Sequence, residues 1–133
     1  MSQESSNALF RQFVSAISAP DCTSLFTIVA PNISIDIPGA SFVDLTASAH
    51  GAEALCAWAS QVHKECGKTT FVIHRYFENG CELMANGEIR IERHPRTFSS
   101  PCSFHVLIEA GKITAFQLLL DTYALQKFRG EMD

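Results

Sequence analysis

Apolar residues recur at helical spacing near the N-terminus and at alternating spacing through most of the second half, and that change of period organises the chain. Leu9, Phe10, Phe13, Val14 and Ile17 fall on one face of a helix over residues 7–18, with Asn7 available as its N-cap. Ala19-Pro20-Asp21 breaks this pattern, and Asp21 can cap a short second helix whose Leu25, Phe26 and Val29 face inward until Pro31 ends it. Ile33, Ile35 and Ile37 alternate with Ser34 and Asp36, which predicts a half-buried strand closed by a corner at Pro38-Gly39. Residues 40–50 are loop-like. Gly51 then opens a third helix reaching Cys66, with Leu55, Ala59, Val62 and Cys66 as its apolar stripe and Gly67 as its stop.

Beyond Gly67 the alternation predicts a meander of four strands, over 69–78, 81–93, 102–109 and 113–121, with a closing helical turn over 122–129. Asn79-Gly80 between two alternating runs is a strong hairpin signal. A two-residue turn there pairs Glu78 with Cys81, Tyr76 with Leu83 and His74 with Ala85, which puts His74 and Tyr76 on the inner face beside Leu83, Ala85 and Ile89. Counting outward from Ala110-Gly111 pairs Ile108 with Ile113, Val106 with Ala115, Phe104 with Gln117 and Cys102 with Leu119. Gln117 and Asp121 then face inward. The reverse side carries Leu107, Phe116, Leu118 and Leu120 around His105, an apolar patch that predicts a homodimer through the outer sheet face. Helices followed by consecutive strands indicate an α+β class and a single domain over 1–133, the length suiting one core.

Composition narrows the function. Hydrophobic residues make up 47% and charged residues 18% of 133, a surplus of apolar groups that implies a cavity, a dimer face or both. A net charge of −4 without a basic run leaves no electrostatic footprint for nucleic acid. The five cysteines are scattered and odd in number, a pattern that fits reduced thiols in the core better than a disulfide framework or a zinc site. No pair of His, Cys or acidic residues has ligand spacing on one element, and no glycine-rich phosphate loop or nucleophile elbow occurs, so neither metal nor cofactor is expected. The polar N-terminus lacks a secretory signal and no apolar run approaches the length of a membrane span, so a cytoplasmic protein without membrane contact is the expectation.

The ungapped run from Arg11 to Pro38 resembles the opening of bacterial ketosteroid isomerases, Gly51-Ala-Glu-Ala-Leu resembles the start of their third helix, and Gly111-Lys-Ile through Leu120-Asp121 their last strand. The chain is thereby similar, over nearly its whole length, to the nuclear-transport-factor-two-like superfamily of SnoaL-like and ketosteroid-isomerase-like proteins. That resemblance implies a cone: a curved, mostly antiparallel sheet wrapped by N-terminal helices and enclosing an apolar pocket for a small hydrophobic molecule. Ketosteroid isomerases use an Asp base beside an oxyanion hole of Tyr and a protonated Asp. By the match the tyrosine falls on Phe13, the base on Ile37 and the second acid near Cys102 or Ser103, none of which moves a proton in that way.

The candidate catalytic residues are His74 and Asp121. An imidazole on an apolar wall can exchange protons near neutrality, or it can be a core histidine bonded to a neighbour. Asp121 can act as a desolvated base, or it can cap the turn that begins at Thr122. Phe13, Ile35, Ile37, Trp58, Tyr76, Phe104, Gln117 and Leu119 are the candidate ligand-binding residues, with Tyr76 and Gln117 able to bond a ligand carbonyl or merely a neighbour. Two functions fit: a cofactor-independent lyase, isomerase or cyclase that moves protons on a carbonyl-bearing or cyclic substrate, and a non-catalytic ligand-binding or dimeric scaffolding domain.

Overall fold

A helix that must bury a stripe of phenylalanines needs a concave partner, and the curved sheet provides it. The structure, a computed structural model, describes residues 3–38 and 48–132. Helix α1 (Gln3–Ser18) begins earlier than the Asn7 cap predicts, and it buries Phe10, Phe13, Val14 and Ile17, the i, i+3, i+4, i+7 set of one face. Helix α2 (Cys22–Ile28) starts where expected: Ser24 donates its N–H and its hydroxyl to the two carboxylate oxygens of Asp21, at 3.2 and 2.7 Å. Those bonds hold the Asp21 carboxyl below its usual range, the Ser24 hydroxyl contributing most. Leu25 is buried, whereas Phe26 faces solvent, and strand β1 (Val29–Asp36) begins before Pro31 can act as a stop.

Ile33, Ile35 and Ile37 all point inward as their alternation predicts. The short strand β2 (Ser48–His50) pairs with β1, and most of the loop expected over 40–50, with Gly39 before it, lies outside the described residues. Helix α3 (Ala52–Cys66) carries the predicted stripe and stops at Gly67, whose φ of 125° suits glycine alone. Strands β3 (Lys68–Asn79), β4 (Glu82–Arg93), β5 (Arg96–Glu109) and β6 (Lys112–Leu120) form the meander, and α4 (Thr122–Met132) follows. Strand β5 starts six residues earlier than expected because β4 turns directly at His94-Pro95, pairing Arg93 with Arg96. The six strands lie in the order β2-β1-β6-β5-β4-β3, antiparallel except where β1 runs parallel to β6. The sheet is open and curved, a cone filled by α1 and α3.

Two bulges correct the expected registers. In the first hairpin the turn is Gly80-Cys81, pairing Asn79 with Glu82, and Gly80 at φ 64° supplies the single positive φ that a turn with glycine first requires. That moves partners by two positions and leaves Tyr76 inside, opposite Ala85. The ladder then slips between Ile73 and Arg75, so His74 is the extra residue and its side chain is exposed, not inside the cone. Strand β3 presses so closely on β4 at this point that a Cβ on Gly87 would stand 2.0 Å from the Val72 carbonyl oxygen. In the second hairpin Ile108 pairs with Ile113 as predicted, but the ladder slips there and Val106 meets Phe116, Phe104 meets Leu118 and Cys102 meets Leu120.

The second slip inverts the faces of β6. Phe116 and Leu118 are buried, while Gln117 turns outward and donates to Asp36 Oδ2 at 2.9 Å, and Leu119 is 44% exposed. The physical reason is apolar burial: Ile113 and the trio Phe116, Leu118 and Leu120 differ in phase, and one looped-out residue, Thr114, lets both sets face the core. The Thr114 hydroxyl is satisfied by Glu109 Oε1 at 3.0 Å.

The cysteines also differ from expectation. Cys22 and Cys56 form a disulfide with Cα atoms 5.6 Å apart, tying the start of α2 to the N-terminal part of α3, while Cys66 and Cys102 are buried free thiols and Cys81 is an exposed one. Scattered spacing hides such a pair because the two helices approach only in the folded chain. No helix among the described residues is long and apolar enough to cross a membrane.

Candidate functional site

The interior of the cone is where the fold would place a ligand, and aromatic side chains occupy most of it. Phe104 stands at the centre: its ring lies 5.2 Å from Phe10, 5.2 Å from Phe71 and 6.0 Å from Phe116, and Phe13 meets Phe116 edge-on at 4.9 Å. Edge-to-face pairs of this kind add to the burial of the rings themselves. Phe13, Phe10, Phe104 and Phe116 are each at most 2% exposed. The space left inside is about 20 Å³, bounded by Ile17, Ile37, Trp58, Phe71, Leu118 and Leu120 among others. That volume holds about one water, whereas ligand pockets run to roughly 300–1,000 Å³.

The structure brings only part of the expected site together. Phe13, Ile35, Ile37 and Phe104 are in the core, and Trp58 is half-buried with its ring 6.2 Å from Phe116. Tyr76 is on the inner face, half-buried, with Phe10 perpendicular to it at 5.8 Å and the Arg11 guanidinium 5.8 Å from its ring centre. Gln117 and Leu119 lie on the outer face, because of the β6 bulge. His74 is exposed close enough to Glu88 to help hold that carboxyl below its usual range, although the hydrogen bond from Arg90 contributes most. Asp121 is exposed and accepts the Ala124 N–H at 2.9 Å as the cap of α4, the second of its two expected roles, while its own N–H donates to Ser100 Oγ.

Few groups in the wall can move a proton. Among the described residues the fully buried polar side chains are Thr69 and Ser100, which donate to the Gly67 and Pro101 carbonyls, while half-buried Glu78, opposite Leu83 on the inner face of β3, has a buried Oε1 with no hydrogen-bond partner among the described residues. Burial, and secondarily the charge of Glu88, pushes the Cys102 thiol up to about 12, which leaves it un-ionised and unreactive at neutral pH. Sequence reasoning missed Phe71, Leu118 and Leu120 as walls. The signal was present as a change of phase: Thr69, Phe71 and Ile73 alternate on odd numbers and Tyr76 falls on an even one, as Ile113 gives way to Phe116, Leu118 and Leu120.

Similar structures share this cone. An NTF2-like protein of unknown function from Burkholderia pseudomallei K96243 matches with a TM-score of 0.82 at 18% identity, over 96% of this chain and 98% of that one. TerC, crystallised with polyporic acid, matches with a TM-score of 0.82 at 13% identity over 95% and 98%. An LEH-like epoxide hydrolase of M. tuberculosis matches with a TM-score of 0.73 at 13% identity over 96% and 91%. At such identities the likeness shows the fold alone. No curated protein matches the chain by sequence. The solved structures share the NTF2-like fold, and the model of the SnoaL-like domain matches residues 10–116: the chain belongs to the SnoaL-like family.

Proposed function

We propose that this chain is a non-catalytic member of its family, a binding and assembly domain that keeps the cone and lacks the proton-transfer groups. The observation that carries this reading is the packed interior: four phenylalanines fill it, about 20 Å³ remains, the fully buried polar side chains among the described residues are two hydroxyls, and the carboxylate of Glu78 does not border that remaining space. General acid–base catalysis needs a titratable group within hydrogen-bond reach of the substrate. A lyase, isomerase or cyclase working through His74 and Asp121 is less supported, since one is exposed beside Glu88 and the other caps α4. The neighbouring epoxide hydrolase and the polyporic acid complex are reasons to test small cyclic substrates all the same.

The test is turnover. With Phe13 and Ile37 buried where the isomerases carry acid and base, conversion of a Δ5- to a Δ4-ketosteroid should not exceed the buffer rate. A rate that scales with protein concentration would overturn the reading.

Assembly is its second half. The outer sheet face exposes Phe77, Met84 and Leu119 to 49%, 47% and 44%; Phe77 and Met84 are paired, His105 next to Met84 lies 3.5 Å from Glu82, half-buried Leu107 follows beside Glu82, and Leu119 stands on the other side beside Ser103. A second copy of the chain would cover this patch, which differs from the one expected: Phe116 and Leu118 belong to the core, and Leu119 replaces them. Sedimentation at micromolar concentration should give a dimer, and Leu119→Glu, placing a charge in the apolar contact, should shift it to monomer without unfolding it. A wild-type monomer, or a mutant dimer of unchanged affinity, would remove the outer face from the proposal.

A further inference from the structure

A groove of about 550 Å³ opens between α1 and the inner face of β3, the last strand of the sheet, apart from both the filled interior and the outer face. Its floor is apolar: Phe71, Ile73 and Tyr76 are half-buried there and pack against the core. Its rim is polar: Arg11 and Ser15 are exposed on α1, and half-buried Ser18 donates its hydroxyl to the Val14 carbonyl at 2.7 Å. The Arg11 guanidinium sits 5.8 Å above the Tyr76 ring, and no acidic side chain among the described residues is paired with it. On a chain of net charge −4, in which Arg90 is matched to Glu88, Arg11 places a cation over an aromatic floor with no carboxylate paired to it among the described residues.

We propose that this groove binds a small aromatic carboxylate. The carboxylate would accept a forked pair of hydrogen bonds from Arg11, the geometry for which a guanidinium is suited. Ser15 adds a hydroxyl donor one helical turn along from Arg11, and the aromatic ring of the ligand lies on Phe71 and Ile73. The volume falls in the range of small-molecule sites, unlike that of the closed interior. Phe71 lines both spaces, so its ring is the partition between the groove and the core cavity.

The probe is 3-phenylpropionate, compared with its neutral amide by NMR titration of the ¹⁵N-labelled protein. The carboxylate should bind in fast exchange with the largest amide shifts at Ser15, Ser18, Ile73 and Tyr76, and the amide should bind at least tenfold more weakly. Arg11→Met, which keeps the stem and removes the charge, should weaken the carboxylate about tenfold at unchanged thermal stability, and Arg11→Lys should restore part of the loss. Equal binding of acid and amide, indifference to Arg11→Met, or shifts confined to the outer face would overturn the proposal. So would an unbound probe at millimolar concentration. Tighter binding of a peptide with a free C-terminus, with new protection of the β3 edge amides, would reassign the groove to strand addition and overturn it as well. Dimerisation and the absence of turnover are measured separately and are unaffected by any of these outcomes.

Discussion

Phe104→Ala should lower the unfolding free energy by about 4 kcal/mol, the middle of the range for emptying a buried aromatic site. Phe104 touches the rings of Phe10, Phe71 and Phe116 at once and is 1% exposed, so its removal takes three aromatic contacts and leaves a void between helix and sheet that neither can easily close. Urea denaturation followed by tryptophan fluorescence measures the effect, since Trp58 lies against Phe116 in the same cluster. A loss below about 1 kcal/mol would mean that the cluster collapses onto the gap and is not the rigid centre of the cone. The same variant bears on function: it enlarges the interior, and an apolar ligand bound by the variant alone would show that packing, not wall chemistry, keeps the wild-type cone closed.

Replacing Cys22 and Cys56 together by serine should cost about 3–4 kcal/mol. The disulfide closes a segment with a sequence separation of 34, and the loop entropy it removes from the unfolded chain corresponds to roughly that amount. Its position explains why the cost falls on the fold as a whole: α2 has seven residues and relies on α1, β1 and α3 for its place, and the bond joins it to the longest helix after α1. A wild-type protein equally stable in dithiothreitol and under oxidising conditions would refute it. Because the other three cysteines carry free thiols, with Cys66 and Cys102 inaccessible inside the core, thiol titration of the native protein should detect Cys81 alone.

The elements were legible in the sequence and the faces were not, wherever a strand changed phase. The helical stripes of α1 and α3, the isoleucine alternation of β1, the Asp21 cap and the Ala110-Gly111 turn follow from local grammar, and each appears in the structure. Register is a different quantity, since one extra residue reverses every side chain beyond it. His74, Gln117 and Leu119 were misplaced for that reason, each lying at or beyond a slip. Tyr76 kept its face because the shifted turn moved its partner by an even number of positions. The disulfide escaped because it depends on two helices meeting, and the closed state of the interior depends on how four rings interlock, which no periodicity encodes.

The bulge at His74 also bears on solubility. Strand β3 ends the sheet, and the far edge of a twelve-residue terminal strand offers backbone donors and acceptors to any extended chain that meets it. A regular edge of that length would seed sheet-to-sheet polymerisation, especially in a protein with nearly half its residues hydrophobic. The slip between Ile73 and Arg75 interrupts the edge near its middle, and exposed Lys68, His74 and Arg75 add polar and charged side chains to it. A feature that at first concerns only where one imidazole points thus also breaks the run of backbone donors and acceptors along which neighbouring molecules would otherwise join edge to edge.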